Sequence, residues 1–347
     1  MMVEAYAEKV WRQMIQDHSG NWGMDIDHWD WVPGVGVVAL LEYYEATRDE
    51  RVLAYLLDWV QRNEAKAKGK AVINAIAPFA IFPGLYRLTG DAGFKEEAVR
   101  VAEWLLHEAP RTREEAFEHT VTENVAFSEQ VWADTIFMAV LFLARTASLL
   151  DSKAYAEEAL KQVLIHLRLL QDPQTGVLFH GWNCTSGDHM SGARWTRANA
   201  WIAAGVPLIV AEIAGLVDMP QELKERFGRL MSGLISCQQP DGLWSTVLDR
   251  PDFYREVSGS AGIAYGLLKA IEVELILHEE EYAARAEHAY RAIVPYITTE
   301  GLVTGVSGGT PVMPTIEAYQ NDVPRYPTLY GQGLVLMLLA QMSQERE

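Results

Sequence analysis

The chain has 347 residues, of which 49% are hydrophobic and 22% are charged, a balance that excludes an intrinsically disordered protein and permits a large core. Its formal net charge of −18 argues against nucleic acid or an anionic membrane surface as a partner, because both would repel it. No apolar run is long enough to span a membrane and no Gly/Pro/Ser-rich linker divides the sequence, so we expect one domain over residues 1–347.

The N-terminal stretch, residues 1–14, has the pattern of an amphipathic helix rather than the apolar core of a signal peptide. The two cysteines, Cys184 and Cys237, have no metal-ligand spacing, and so few thiols are typical of a reducing compartment. We therefore predict a cytoplasmic protein. The oligomeric state stays open at this stage.

Helical periodicity dominates the rest of the chain. One-sided apolar stripes, each following an aspartate, predict three amphipathic helices: Val52, Leu53, Leu56, Leu57 and Val60; Phe94, Ala98, Val101, Ala102 and Leu105; Tyr155, Ala159, Val163, Leu167 and Leu170. Residues 133–150 are apolar on most sides, which predicts a helix covered by neighbours on both flanks. No convincing strand of more than a few residues is found.

Weak internal repeats predict an array of helical hairpins. The pattern Tyr-x-x-Thr-x-Asp occurs at residues 44–49 and again at 86–91, and a glycine followed by two apolar residues recurs at Gly176, Gly242 and Gly301. Twelve helices would leave about 29 residues for each helix with its connection, a natural length. We therefore predict an all-α fold, an (α/α)6 barrel of helical hairpins, with an open helical solenoid as the alternative.

The segments between the predicted helices combine aromatic, acidic and histidine residues. The richest of them are residues 29–31, 117–119, 130–134, 180–182 and 195–201. Indole faces stack on the C–H faces of sugars, and neighbouring polar groups bind sugar hydroxyls. The sequence has eleven tryptophans, and their clustering in these segments favours a carbohydrate site.

Asp134 stands two residues after Trp132, at the head of the buried segment 133–150. A carboxylate in this place is a common helix N-cap or first-turn residue, because it interacts favourably with the helix dipole. The alternative is a catalytic group whose pKa is raised by partial burial beside an indole, so that it donates a proton near neutral pH. The residues alone leave both interpretations open.

His119 and His180 lie next to aromatic residues and lack the spacing of a zinc site, so we predict no metal. Each is either a structural hydrogen-bonding residue or part of a pocket that binds sugar oxygens. Arg197 and Trp201 lie four residues apart, on one helical face, and so do Trp195 and Asn199. These pairs either stack within the core or offer an arginine and an indole surface to a ligand.

Taken together, these segments resemble the unsaturated rhamnogalacturonyl hydrolases of glycoside hydrolase family 105, which are related to the unsaturated glucuronyl hydrolases of family 88. The resemblance runs over nearly the whole chain and is most specific in residues 130–138 and 195–201. Weaker pieces are residues 29–34, 85–91, 117–120, 180–182, 307–311 and 330–333.

The resemblance implies an (α/α)6 barrel with the site at one mouth and Asp134 as the catalytic acid and base. The substrate-binding residues that the resemblance implies are Trp29 or Trp31, His119, Trp132, His180, Trp195, Arg197 and Trp201. We also predict that Asn199, in the same segment as Trp195, binds substrate.

The sequence departs from the family's pattern in two places. Related enzymes often carry a second aspartate before the Leu-Tyr-x-x-Thr segment, whereas residues 72–78 contain no carboxylate here. We expect Asn74 to take its place as a hydrogen-bonding residue. Ala198 and Ala200 stand where glycines are usual, which is expected to narrow the pocket.

The implied activity is the release of a Δ4,5-unsaturated uronic acid from the non-reducing end of a short pectin-type oligosaccharide, with lyase-generated rhamnogalacturonan as the expected source. Asp134 would protonate C4 of the vinyl ether, water would attack C5, and the resulting hemiketal would open and expel the aglycone. This scheme needs no cofactor, and a small oligosaccharide is the predicted partner. The alternatives are a polysaccharide lyase or sugar epimerase on the same barrel, or a non-catalytic scaffold that binds carbohydrate.

Overall fold

The computed structural model describes residues 2–69, 71–123, 125–276 and 279–344. Within these ranges the chain is helical apart from turns and one short β-ribbon. The α-helices are α1 (Met2–Met14), α2 (Trp31–Thr47), α3 (Glu50–Asn63), α4 (Phe82–Thr89), α5 (Ala92–His107), α6 (Leu141–Leu150), α7 (Lys153–Leu170), α8 (Thr196–Ile213), α9 (Gln221–Cys237), α10 (Val257–Glu272), α11 (Glu279–Ile293), α12 (Ile316–Asn321) and α13 (Leu329–Gln344). The strands are β1 (Gln130–Trp132) and β2 (Gly181–Asn183).

Six inner helical segments form a closed ring. In ring order they are α2, the 3₁₀-helix Ile73–Ile81 with α4, the π-helical turn Ile136–Val140 with α6, then α8, α10 and α13. Each contacts the next, and α13 contacts α2. Helices α2, α8 and α10 are apolar on most sides because they are covered both by ring neighbours and by an outer layer. The predicted all-α barrel is thereby confirmed.

The outer layer consists of α1, α3, α5, α7, α9 and α11, which are amphipathic and bury one face. The predicted stripes lie on α3, α5 and α7. Asp49 and Asp91 cap α3 and α5 by accepting backbone N–H bonds from Arg51 and Gly93. For α7 the capping side chain is Ser152.

Two of the repeated glycine turns show why glycine recurs there. Gly176 and Gly301 have φ angles of +82° and +96°, a left-handed conformation that side chains with a Cβ rarely adopt. A Cβ at these positions would also collide with backbone of α9, at Arg229, and of α1, at Lys9. The repeat therefore marks turns that lie directly against outer helices.

The β-ribbon brings two distant loops together. β1 pairs antiparallel with β2, so that Trp132 lies opposite Gly181. Directly beyond the ribbon, the Ala133 N–H donates to the His180 carbonyl at 3.2 Å. Asp134 and His180 are thereby placed side by side. No helix in the described part of the chain is long and apolar enough to cross a membrane.

Candidate active site

The N-terminal ends of the six inner segments converge at one mouth of the barrel. Trp31, Asn74, Asp134 and Arg197 are at or near the start of four of these segments, and all four line one pocket. The other two segments reach the same place, because Tyr330 stacks on Trp31 at 5.0 Å and the α10 cap Glu256 lies 3.7 Å from Arg197. Helix N-termini carry partial positive charge, so this mouth is favourable for an anion even though the whole chain is acidic.

The pocket has a volume of about 380 Å³, a size that suits a small ligand. Its walls are mixed aromatic and polar: Trp22, Trp31, Asn74, His119, Val121, Glu123, Val125, Phe127, Trp132, Asp134, Trp195, Arg197, Gly309, Thr310, Pro311 and Tyr326. A larger cavity of about 580 Å³ lies between α3 and α5, but it contains none of the predicted site residues. The smaller pocket is therefore the candidate active site.

Asp134 begins the third inner segment and faces the pocket without capping its helix. Its Oδ2 is buried and, among the described residues, has no hydrogen-bond partner. His180 Nε2 lies 3.7 Å from this oxygen, a close electrostatic contact that is longer than a direct hydrogen bond. A buried carboxylate oxygen without a partner is costly, so its orientation favours the catalytic interpretation.

The pKa of Asp134 differs from the sequence prediction. Burial acts to raise this pKa, but His180, with His119 and Arg197, outweighs burial and lowers the Asp134 pKa below its ordinary value. The predicted increase is therefore wrong. It was argued from the neighbouring indole alone, whereas the residues that reverse it come from other inner segments and loops.

The two predicted histidines are both buried. His119 stacks flat on Trp132, with 3.8 Å between ring centroids, and burial lowers its pKa to about 4. Burial also lowers the pKa of His180, although Asp134 acts in the opposite direction. Both imidazoles are therefore neutral near pH 7, and His119 offers a polar ring edge at the pocket wall.

Arg197 is anchored from several sides. Its Nη1 donates to the Ser307 carbonyl at 2.8 Å and its Nη2 donates to the Gly308 carbonyl at 2.8 Å. The guanidinium lies between the faces of Trp195 and Tyr330, at 4.4 and 4.5 Å from their centroids. The buried Nε has no partner among the described residues. The glycine-rich turn near residue 308 thus supports the arginine and lines the pocket.

Asn74 occupies the wall as predicted, and its buried Oδ1 lacks a hydrogen-bond partner within the described part of the chain. Trp31, Trp132 and Trp195 also line the pocket, which agrees with their predicted placement. An unpaired buried acceptor is expensive unless a ligand satisfies it. Asn74 is therefore positioned to accept a hydrogen bond from a bound molecule.

Four other predicted residues do not line the pocket, and one of them is His180, whose Nε2 lies 3.7 Å from Asp134 Oδ2. Trp29 is fully buried against Trp59, and its Nε1 donates to the Ala75 carbonyl. The Asn199 side chain is saturated by backbone groups, for example the Leu178 carbonyl and amide. Trp201 packs against Phe137 in the core. Hydrogen bonds account for the orientation of Trp29 and Asn199, and core packing accounts for that of Trp201, so none of these three side chains faces the pocket.

The sequence prediction missed several wall residues. Trp22, Phe127 and Tyr326 are aromatic and line the pocket. Trp22 lies in the same stretch as Trp29 and Trp31, a signal that was available, whereas Phe127 and Tyr326 stand in segments without any motif. Across the described ranges, no three His, Cys, Asp or Glu side chains are grouped in a way that suits a metal ion.

Comparison with known proteins gives consistent similarities. The family model described as Glycosyl Hydrolase Family 88 matches residues 6–345. The chain is 34% identical to the unsaturated rhamnogalacturonyl hydrolase YesR of Bacillus subtilis (strain 168) over 324 residues, which are 92% of this chain and 91% of YesR. It is 27% identical to an unsaturated 3S-rhamnoglycuronyl hydrolase of Alteromonas sp. (strain LOR) over 216 residues, which are 61% of this chain and 50% of that protein.

Among solved structures, a possible member of the GH105 family from Klebsiella pneumoniae subsp. pneumoniae MGH 78578 has a TM-score of 0.92 and 30% identity. That similarity covers 100% of this chain and 94% of the Klebsiella chain. Similarity in sequence and in fold therefore extends over nearly the whole molecule.

Proposed function

This chain belongs to glycosyl hydrolase family 88 and is a glycoside hydrolase, and we propose that it removes a Δ4,5-unsaturated uronic acid from the non-reducing end of a short oligosaccharide. We further propose that the preferred oligosaccharide is a lyase-generated rhamnogalacturonan fragment. The name of YesR, at 34% identity, supports this preference.

The pocket suits an anionic sugar end. The N-terminal ends of the six inner segments gather at this mouth and four of them line the pocket, which favours a carboxylate in a chain that is otherwise strongly acidic. Trp31, Trp132 and Trp195 supply aromatic wall for the C–H groups of a sugar, and Asn74 supplies an unpaired acceptor for a hydroxyl. These features support a uronate as the sugar that enters first.

The proposed mechanism rests on one observation, which is that Asp134 is the single buried carboxylate in the described pocket wall. The only other carboxylate in the described pocket wall is Glu123, which is exposed at the rim, and Asn74 cannot act as a carboxylate. A conventional glycosidase needs two carboxyl groups on opposite sides of the glycosidic bond. The hydration of a vinyl ether needs one group that first donates and then accepts a proton.

In the proposed reaction the Asp134 carboxylic acid transfers its proton to C4 of the C4=C5 bond. Positive charge develops at C5 and is shared with the ring oxygen. Water then attacks C5 while the Asp134 carboxylate takes the proton from that water, which restores the acid. The hemiketal formed at C5 opens, and the C1 hemiacetal that results releases the aglycone as an alcohol. Acid–base catalysis of this kind contributes about 10²–10⁴-fold.

Asp134 has a lowered pKa, yet the first step requires its protonated form. In the proposed complex the carboxylate of the unsaturated uronate lies close to Asp134, and the sugar excludes water from it. Like charge and desolvation both raise the pKa of a carboxyl group. We therefore propose that substrate binding itself produces the protonated Asp134 that the first step requires.

The direction of ultraviolet absorbance change tests the proposal. Purified protein is incubated with lyase digests of rhamnogalacturonan, polygalacturonan and glycosaminoglycans. We expect loss of the absorbance of the conjugated double bond, fastest with the rhamnogalacturonan digest. A saturated uronide with the same aglycone is the matched control, and it should remain intact because it has no C4=C5 bond.

The competing functions give different results in the same assay. A polysaccharide lyase would raise the absorbance of intact polymer, an epimerase would leave it unchanged while altering a free sugar, and a scaffold would bind the oligosaccharide without consuming it. Any of these outcomes would contradict the proposal.

Two further properties remain predictions. Activity should survive exhaustive chelation, because Asp134 and water supply everything that the scheme needs; loss of activity that a specific metal restores would contradict this.

A cytoplasmic location is supported by the two free thiols, of which Cys184 is buried. Fractionation of the producing cells tests it.

A further inference from the structure

Behind Asp134, away from the pocket, lies a tyrosine that the proposed mechanism does not use. Tyr319, on α12, is fully buried, and its hydroxyl lies 2.7 Å from His180 Nδ1. The same hydroxyl accepts a hydrogen bond from the Met313 N–H at 3.2 Å and lies 3.5 Å from Ser191 Oγ. Neither Tyr319 nor His180 lines the pocket.

The donors and acceptors around the Tyr319 hydroxyl favour one arrangement of protons. The Met313 amide is always a donor, so it occupies one lone pair of the tyrosine oxygen. The hydroxyl proton then has its shortest contact with His180 Nδ1, whereas the contact with Ser191 is much longer. If Nδ1 accepts this proton, the neutral imidazole carries its own proton on Nε2.

His180 Nε2 is the atom that faces Asp134 Oδ2 at 3.7 Å. The imidazole cannot easily turn away, because it packs against Trp195 at 4.3 Å and against Trp132 at 5.3 Å between ring centroids. An Nε2–H in this place stabilises a carboxylate, while an Nε2 lone pair would repel it. Catalytic contacts of this length often shorten when a substrate is bound.

We infer that Tyr319 is a positioning residue, which donates its hydroxyl proton to His180 Nδ1 and so holds the Nε2–H toward the Asp134 carboxylate. This inference rests on the proposed function, in which Asp134 transfers a proton to C4 of the substrate. Through His180, Tyr319 stabilises the ionised Asp134 that is formed when C4 is protonated. A stronger acid transfers its proton to carbon more readily, so this contact favours the first step.

Other charged and titratable groups around Asp134 act independently of Tyr319. His119 and Arg197 face it from the pocket wall, and Arg197 is paired with the buried Glu256. None of them contacts the Tyr319 hydroxyl. Removing that hydroxyl therefore changes the His180 contact and leaves the other contributions to the Asp134 environment in place.

The experiment compares Tyr319→Phe with the full-length wild type. In protein labelled with ¹⁵N-histidine, the His180 resonances, assigned by their loss in His180→Gln, should report an Nε2–H tautomer in wild type and a mixture in the variant. At pH values below the alkaline limb of the kcat profile, we expect kcat to fall about three- to tenfold and KM to change less than about twofold, because the pocket wall is intact. The alkaline limb of the kcat profile should move upward by about half to one pH unit, as expected for one lost hydrogen bond.

Tyr254→Phe is the matched control. The Tyr254 hydroxyl donates to the Tyr319 backbone carbonyl at 3.4 Å, so its removal disturbs α12 without touching His180. That variant should keep the wild-type tautomer and pH profile.

An Nδ1–H tautomer in the wild type would overturn the inference, and so would a Tyr319→Phe variant whose kcat falls without any shift of the alkaline limb. Failure of the proposed function has a separate signature, which is that the wild type does not consume unsaturated uronides at all.

Discussion

Trp22 is 48% exposed although its ring lies edge-on against Trp31, with 6.0 Å between centroids. Three large apolar side chains are strongly exposed in the described ranges, and two of them, Trp22 and Val125, line the rim of this pocket. Exposed apolar surface beside a polar pocket is typical of a binding site. The rim is therefore suited to the sugar that follows the uronate.

Trp22→Ala is predicted to weaken binding of the second sugar. We expect KM for an unsaturated disaccharide to rise about five- to tenfold, since a stacking contact contributes roughly 1 kcal/mol or more, while kcat changes little. Steady-state kinetics on the disaccharide and on the methyl glycoside of the same unsaturated uronate measure this. An equal loss on both substrates would contradict a role confined to the second sugar.

Most of the side chains that line the candidate pocket near Asp134 were predicted from the sequence. Asp134, His119, Trp132 and Arg197 stand in motifs whose composition and resemblance indicated a site, and all of them line the pocket. Tyr319 was not identified, because its role depends on a contact with His180, which is 139 residues away in the chain. The direction of the Asp134 pKa shift was missed for the same reason.

Helix α7 carries a titratable residue, His166, in the protein core. His166 is fully buried, its Nδ1 contacts the Gln162 carbonyl at 2.8 Å, and burial lowers its pKa from 6.5 to about 4. Between these two values the unfolded chain binds a proton that the folded chain does not. The contribution of His166 to the free energy of unfolding therefore decreases as the pH falls from about 6.5 toward 4.

His166→Leu is predicted to reduce this acid sensitivity. The shift in the His166 pKa corresponds to about 3 kcal/mol over the full interval, so the variant should lose about that much less stability than wild type between pH 7 and pH 4. Urea unfolding at the two pH values measures the difference. His107→Gln, at an exposed position of α5, is the control and should behave like wild type.

Helix positions were more predictable than the irregular turns that begin two inner segments. The stripes of α3, α5 and α7 follow a regular period and begin at recognisable N-caps. The 3₁₀-helix around Pro78 and the π-helical turn Ile136–Val140 have no such signal. Both replace regular α-helix beside the pocket, where tertiary contacts determine the backbone and π-turns are common at functional sites.

For the whole molecule, closure of the ring joins the two ends of the chain. Helix α1 packs on α13, which in turn packs on α2. Trp11 of α1 is 3% exposed and contacts Tyr43 of α2, and the Gln332 side chain of α13 donates to the Val10 carbonyl. We propose on this basis that residues 1–347 unfold as one domain.

Trp11→Ala tests that proposal. Truncation of a buried tryptophan costs about 3–5 kcal/mol, and in a single domain the loss lowers the midpoint of the entire transition. Circular dichroism and tryptophan fluorescence should give coincident unfolding curves for both proteins. An early, separate transition in the variant would show that α1 and its neighbours form an independent unit.

The barrel architecture was predictable from the hairpin repeats, whereas the convergence of six helix N-termini at one mouth was not. That arrangement follows from the parallel direction of the inner helices, a property of the closed ring rather than of any segment. It also explains how a chain of net charge −18 offers a favourable site to an anionic sugar.

The most direct test of Asp134 as the proton donor is the turnover of an unsaturated rhamnogalacturonan disaccharide by Asp134→Asn. Turnover is measured as the loss of double-bond absorbance. Asparagine keeps the shape of the side chain but cannot exchange a proton in this way. We predict a decrease in kcat of about 10²–10⁴-fold, with circular dichroism and the unfolding midpoint close to wild type. Turnover near the wild-type rate in a correctly folded variant would contradict it.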